Sequence, residues 1–508
     1  MNLHVIPNTR RKLPDFDVFC LIKTLPTGNK SPTTLVHVLD DDSLLIVFSL
    51  CRPVILDESE ANNVQLIEGG EWARERWWYR LIQVCHRWRS LVLQSAFYLQ
   101  VSLVCGRGTP VADMLAQSPP VPLIIDHYDN EHLELTPEDE QGIVLALHHR
   151  DRVRRVRLLK PIPTLQKLIL ALDGEYPILE FLIIQHQRFH RPVVEPKTNL
   201  KFPDTFRAAH VCQVLLRNFA TPIDSPPLAT MVNLVTLFLS QIPLSAHIHP
   251  NSLLQRLYLM PQLEILWIGF NLSRDAERKL LRIPIMTRVT LPILRQLGYR
   301  GGNAYLEALL PWMTTPLLAK LQVYFSNRMV YTTPHLCEFM GAAKNLQLKA
   351  AKFTFFEDSL IVNAFAHKGD RLYTFAMELG GKHLDWQVVS AAQVFHLLRT
   401  VFSALEHLDL KFYQRDLSSE WNREADRTQW REFLGLFRNI KTIFVDDELV
   451  GQVSRALQPG EGESPAESEP FPELEELSYS ATASTLNVFT PFIDSRQKAG
   501  RPVTIVHP

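Results

Sequence analysis

Several features that would fix a function by themselves are missing from this chain. Its six cysteines (20, 51, 85, 105, 212 and 337) include no C-x-x-C pair and form no even framework. They read as reduced, buried thiols of an intracellular protein, neither a disulfide scaffold nor a metal site. No run approaches the roughly 18 apolar residues of a membrane span, so no membrane association is expected. Charge of one sign is also lacking. Lys and Arg number 53 and Asp and Glu 54, for a net charge of −1. Without a basic excess there is no bulk attraction to nucleic acid or to anionic lipid, and no nucleic-acid partner is expected. The opening residues "MNLHVIPNTRRKLPDF" lack the apolar core of a signal peptide. The expected location is cytoplasmic, nuclear or both.

Catalytic and cofactor signatures are equally scarce. "CGRGTP" has two glycines but neither G-x-G-x-x-G nor a lysine at P-loop spacing, and there is no G-x-S-x-G or H-E-x-x-H. His247 and His249 in "HIHP" have metal-like spacing, but no further ligand lies nearby in sequence and Pro250 points to a loop. His148 and His149 close a predicted helix, where cations favour the dipole. "DDD" at 40–42 is explained by helix capping. The expectation is a protein that is not an enzyme, with no catalytic residue, no metal and no cofactor.

What the chain does have is apolar residues, 46% of the total, in two different textures. Near the start, "LDDDSLLIVFSLCRP" reads as a helix capped by Asp41 or Asp42, with Leu44, Leu45 and Phe48 on one stripe and an end before Pro53. From Tyr79 onward, Leu81, Val84, Cys85, Trp88, Leu91 and Val92 recur at spacings of three and four among Arg80, His86, Arg87 and Arg89. That spacing predicts one amphipathic helix. Both helices can simply pack on the body of the protein. The cluster "EWARERWWYR" just ahead can contact a partner or seal a joint between modules.

These residues resemble an F-box. Leu39, Asp41, Asp42, Leu44, Leu45 and Phe48 match its first half, and "VC-x-x-W" at Val84, Cys85 and Trp88, with Arg87 and Leu91, matches its second. Asp40 stands where the family usually has proline, and about two dozen inserted residues separate the halves. The resemblance implies a small helical module over 35–97, with an insertion at 52–78. Its core and adaptor-binding residues would be Leu39, Leu44, Leu45, Phe48, Leu81, Val84, Cys85, Trp88 and Leu91. The implied partner is the Skp adaptor and, through it, a cullin–RING (SCF-type) ubiquitin ligase.

From about residue 98 the texture changes to short apolar strands alternating with helices, the pattern of a parallel sheet. "TPEDEQGIVLALHHR" shows the helical part, with Thr136 as cap, Pro137 next and acidic residues in the first turn. A unit of the form apolar-x-x-apolar-x-apolar recurs twelve times, from Val153-Val156-Leu158 to Leu474-Leu477-Tyr479, at separations of 23 to 35 residues. Leu263-Leu266-Ile268, Leu348-Ala351-Phe353 and Leu372-Phe375-Met377 are among them. Several follow similar phrases: "MPQLEIL", "LPILRQL", "TPLLAKL", "FPELEEL". This resembles the leucine-rich repeat, in longer and irregular form. The alternative is an ordinary α/β domain with leucine-rich strands.

The expected fold is therefore α/β: a short helical F-box followed by a leucine-rich-repeat-like solenoid over 98–508, curved, with parallel strands on the concave face. Residues 1–34 and the acidic loop 458–470 read as unstructured. The outward "x" positions include Glu264, Trp267, Arg295, Lys320, Gln322, Glu406, Asp409, Glu475 and Ser478. Their mixed character suits a protein target, and Trp267, Arg295 and Lys320 are the candidate target-binding residues. The whole chain is similar to the F-box proteins numerous in fungi, which implies the substrate receptor of an SCF ligase acting in ubiquitin-dependent degradation. The alternative is a protein-interaction scaffold, with or without adaptor binding, unconnected to ubiquitination.

Overall fold

The structure is a computed structural model that describes residues 39–52, 76–128, 135–186, 200, 202–218, 226–242, 248–270, 281–325, 333–413, 425–458, 469–480 and 487–506. The expected N-terminal extension, most of the 52–78 insertion, His247 and 459–468 of the acidic loop lie outside these residues. The chain divides into two compact units: Met1–Val104 with Gln117–Pro122, and Cys105–Ala116 with Leu123–Pro508.

The described part of the first unit is built on helices α1 (Asp41–Leu50) and α2 (His86–Gln94). Asp40, not Asp41 or Asp42, is the N-cap of α1, and its carboxylate accepts from Ser43 N–H at 2.7 Å. The single amphipathic helix expected from Tyr79 is instead broken. A 3-10 turn spans Leu81–Gln83, Cys85 is extended, and α2 starts at His86 with the Cys85 sulfur accepting from Trp88 N–H. Placing the sulfur there satisfies a free donor of the new helix, which the continuous helix would not need.

In the second unit β1 (Leu123–Tyr128), β2 (Val153–Lys160), β3 (Phe181–His186), β4 (Gln213–Arg217), β5 (Thr236–Ile242), β6 (Ile265–Phe270), β7 (Gln296–Gly301) and β8 (Lys320–Phe325) lie side by side in chain order. All these neighbours pair in parallel. Helices such as Pro137–His148 and Pro250–Tyr258 return the chain between strands. Thr136 caps the first, accepting from Asp139 N–H at 3.1 Å, as its sequence requires. His249 caps the second, its Nδ1 accepting from Asn251 N–H.

A recurring turn precedes five of the strands and sets their entry. In "YPIL", "MPQL", "LPIL", "TPLL" and "FPEL" the residue before proline accepts from the N–H of the leucine three places on: Leu179 to Tyr176, Leu263 to Met260, Leu294 to Leu291, Leu318 to Thr315 and Leu474 to Phe471. Proline presets φ for the second position of such a turn. The leucine it delivers is the first of the apolar triplet. In Leu263-Leu266-Ile268 and Leu318-Leu321-Val323 all three side chains are at most 1% exposed. The second unit is a leucine-rich-repeat-like α/β solenoid.

The stack is interrupted once. After β8 the chain forms β9 (Ala350–Phe355), β10 (Ser359–Phe365) and β11 (Phe375–Gly380), and the spatial order is β8-β11-β10-β9. β10 is antiparallel to both neighbours. β12 (His407–Phe412) then pairs in parallel with β9, and β13 (Thr442–Val445), β14 (Glu476–Tyr479) and β15 (Thr504–Val506) continue the parallel run. The sequence triplets include β9 and β11 but not the reversed strand between them. This explains Leu372, which is 45% exposed although it heads a triplet. Its strand is approached along a hairpin arm from the antiparallel β10.

The difference is measurable. Leu348→Ala removes a side chain only 3% exposed and is expected to cost about 2–4 kcal/mol, whereas Leu372→Ala stays within about 0.5 kcal/mol. Thermal and urea unfolding of the two variants decides this, and equal losses would reject the hairpin.

Candidate functional site

Two surfaces, one in each unit, carry the residues singled out by sequence. In the first unit Leu44 and Phe48, one helical turn apart, are 1% and 0% exposed. Phe48 meets Trp88 edge-on, with ring centroids 4.7 Å apart. Arg87 ties the two helices from the side. Its guanidinium donates to the Asp41 carboxylate at 2.8 and 3.0 Å and to the Leu39 carbonyl at 2.7 Å. Leu91 is buried; Leu45, Leu81, Cys85 and Trp88 are half-buried. Leu39 and Val84 lie open to solvent.

Packing the two stripes together therefore uses Leu44, Phe48, Trp88 and Leu91. It leaves Ile46 55%, Val47 38%, Leu50 78% and Val84 49% exposed. Motif matching missed Ile46, Val47 and Leu50. The signal available for them was the width of the apolar run, since "LLIVFSL" has more apolar residues than one stripe can hold. Trp78 of the tryptophan cluster is buried within the same unit and donates to the Ser102 carbonyl at 3.1 Å.

In the second unit the triplet side chains face the helices, and the alternate positions form the opposite, strand face. Its centre is aromatic. Trp267 on β6 stacks parallel to Phe238 on β5, centroids 5.3 Å apart and planes 10° apart, and meets Tyr324 on β8 at 5.6 Å. The indole lies flat over β7 because residue 298 is glycine: a Cβ there would stand 1.8 Å from Trp267 Cε3.

Charged and amide groups ring this shelf. The Arg300 guanidinium sits 5.1 Å from the Tyr324 ring and 3.1 Å from the Glu378 carboxylate. Arg295 is not on the face but at the start of its strand, 3.7 Å from Glu264. Lys320 places its ammonium 4.6 Å from the centre of the Tyr373 ring. Gln322, expected to point outward, is only 3% exposed. It accepts from the Gln296 amide at 3.3 Å and donates to the Tyr373 hydroxyl at 2.6 Å. Tyr373 covers it, so a side chain on the predicted face is nonetheless buried.

Burial lowers the Lys320 amine to about 8, since its charged form loses water. Lys441 moves the other way, its ammonium held protonated by the Glu406 carboxylate 3.0 Å away. Among the described residues no group of His, Cys, Asp and Glu gathers as metal ligands. None of the described helices is long and apolar enough to cross a membrane.

No family model matches the chain, and no curated protein matches it. Two solved structures are similar to it at a distance. One is the TLR13-ssRNA13 complex, with 14% identity over 76% of this chain and a TM-score of 0.30. The other is the Rad7 and Elc1 complex in yeast, with 13% identity over 92% of each chain and a TM-score of 0.28. This chain spans about half the length, 48%, of the first. Likeness this remote carries no argument, and the fold assignment rests on the strand order and the buried triplets.

Two predictions concern the strand face. Gly298→Ala must lift the indole off the sheet and is expected to cost about 1–3 kcal/mol. In a Trp267→Ala background the same change becomes nearly neutral, because the clash is gone. Thermal melts of the four proteins close this cycle, and additive losses would reject the packing. Near pH 8 roughly half of the Lys320 amines are unprotonated, so a limiting dose of acylating reagent should modify Lys320 before Lys441. Peptide mass mapping reads the order, and the reverse order would contradict the desolvated amine.

Proposed function

We propose that the chain is a substrate receptor of a cullin–RING ubiquitin ligase, with its N-terminal helices holding the Skp adaptor and its solenoid holding a target protein. The observation that carries this reading is the helix pair of the first unit. Phe48, Trp88, Asp41 and Arg87 lock α1 to α2. The lock leaves Ile46, Val47, Leu50 and Val84 exposed on a module too small to cover them. Contiguous apolar surface of this kind marks a site for another protein. Of the second half of the F-box resemblance, Arg87 and Trp88 build the lock and Val84 stands among the open residues, which supports the same partner.

Asp40 fits the reading without proline. Its side chain supplies the helix start, accepting from Ser43, so the departure from the family pattern leaves α1 intact. On this proposal the protein performs no chemistry. It raises the local concentration of a target beside the charged ubiquitin-carrying enzyme.

The test is capture of the purified Skp adaptor by the full chain. Leu50→Asp and Val47→Asp place charge on the exposed stripe while sparing Phe48 and Leu44. Each is expected to weaken capture by about 30-fold or more, the range of a buried apolar anchor, with the melting temperature unchanged. Deletion of 35–95 is expected to abolish capture. Failure of the unaltered chain to bind the adaptor rejects the proposal, as does equal binding by the deletion variant.

A further inference from the structure

The strand face of the solenoid carries an unbalanced charge beside an apolar shelf, and the two together define a ligand. Between β6 and β8 three cations lie on or beside the face. Arg300 is matched by Glu378, and Arg295 by Glu264. Lys320 has only the Tyr373 ring against its ammonium. Among the described residues no carboxylate lies within ion-pair distance of it. Its amine is also depressed by burial with no compensating charge. A half-buried cation in this state gains from an anion supplied from outside.

The shelf supplies the second requirement. Phe238 and Trp267 stack with their planes 10° apart, and Gly298 lets the indole rest on the backbone. The result is an apolar aromatic surface, suited to the face of an aliphatic or aromatic side chain. Trp267 and Lys320 are two strands apart in the sheet and two residues out of row, since Trp267 is in register with Gln322 and Lys320 with Ile265. At about 4.8 Å per strand and about 3.3 Å per residue this is roughly 12 Å. An extended peptide rises about 3.3 Å per residue, so the separation corresponds to about three to four residues.

We propose that this face binds an extended peptide segment of the target in which a carboxylate side chain meets Lys320 and an aromatic or large aliphatic side chain, about three to four residues away, lies on the Phe238–Trp267–Tyr324 shelf. This rests on the reading of the solenoid as the target-holding part. A single-stranded nucleic acid also stacks on aromatic residues, but it needs several cations to follow its phosphates. Here two of the three cations are already matched by Glu378 and Glu264, so one acidic side chain fits the charge better than a polyanion.

The experiment selects a displayed library of random linear peptides on the full-length chain and measures recovered peptides by fluorescence anisotropy. Acidic residues about three to four positions from Phe, Tyr, Trp, Leu or Met should be enriched. Lys320→Gln should weaken the recovered peptides at least tenfold, and Lys320→Glu should abolish their binding. Arg295→Gln should leave it unchanged, since Arg295 stands outside the face. Trp267→Ala should weaken binding too, with circular dichroism reporting whether that variant folds; the Lys320 variants test the proposal even where it does not. Peptides without acidic enrichment, unchanged affinity in Lys320→Gln, or displacement by a mixed-sequence single-stranded oligonucleotide at lower concentration than by the free peptide would each overturn it. Skp capture is read on the same preparations. Loss of capture with intact acidic-peptide binding rejects the ligase reading and keeps the peptide site; the converse rejects the peptide site alone.

Discussion

Five strands of the parallel stack, β3, β6, β7, β8 and β14, are each entered by a buried leucine that a turn delivers. The proline-type turn fixes where the leucine enters, as Leu263 does after Met260 and Leu318 after Thr315. Burying such a leucine is worth about 1.5–3 kcal/mol. The next residues then have no choice of face: Leu266 and Ile268 go in, Ile265 and Trp267 go out. A slip by one residue would exchange the faces and expose the whole triplet. The same turn also aligns neighbours, because Glu264, Arg295 and Ala319 each donate a backbone N–H to the preceding strand's lead-in, at Val235, Glu264 and Arg295. One local constraint, repeated, thereby fixes the register of neighbouring strands through β6, β7 and β8.

The strand face inherits its chemistry from that constraint. With the triplets committed to the core, the alternate positions are free to vary, but polar ones among them must find partners within the sheet. Gln296, Gln322 and Tyr373 solve this with a short amide–hydroxyl chain. The aromatic residues solve it by lying flat, which demands glycine beneath them. Gly298 holds its place for that reason, with ordinary backbone angles and no left-handed turn involved; its role is the missing Cβ.

How much of this was legible in the sequence follows from the same logic. The triplets at 263–268 and 318–323 could be read because helix-bound leucines repeat with the turn. The reversed strand 359–365 could not. "SLIVNAF" alternates just as a parallel strand does, and alternation carries no direction. Leu372 was read as one more strand head because the sequence pattern is the same whether a turn or a hairpin arm precedes it. The break at Cys85 was hidden for a similar reason: three- and four-residue spacing survives a capped break as well as it survives a continuous helix. Lys320 and Trp267 were legible as face residues. Their contrast with Arg295 was not, because whether a cation already has its carboxylate depends on neighbours some thirty residues away in sequence.

On the proposed function, the two surfaces differ in how long each would hold its partner. The exposed stripe of α1 is almost wholly apolar: Ile46, Val47 and Leu50 offer no charged group, and the nearest ion pair, Asp41–Arg87, is spent on joining the helices. Such a surface gains little from being left in water and resembles the core of a lasting interface. The strand face around Trp267 is mixed, with one cation awaiting a charge and a shelf of modest size. Its binding energy is divided between an ion contact weakened by salt and one apolar anchor, which favours exchange over permanence. On the proposed function this asymmetry is what the task requires: a receptor must stay with its ligase while releasing each target. The physical division runs along the sequence itself, with the apolar stripe of α1 in the forties and the mixed face spread over the repeats.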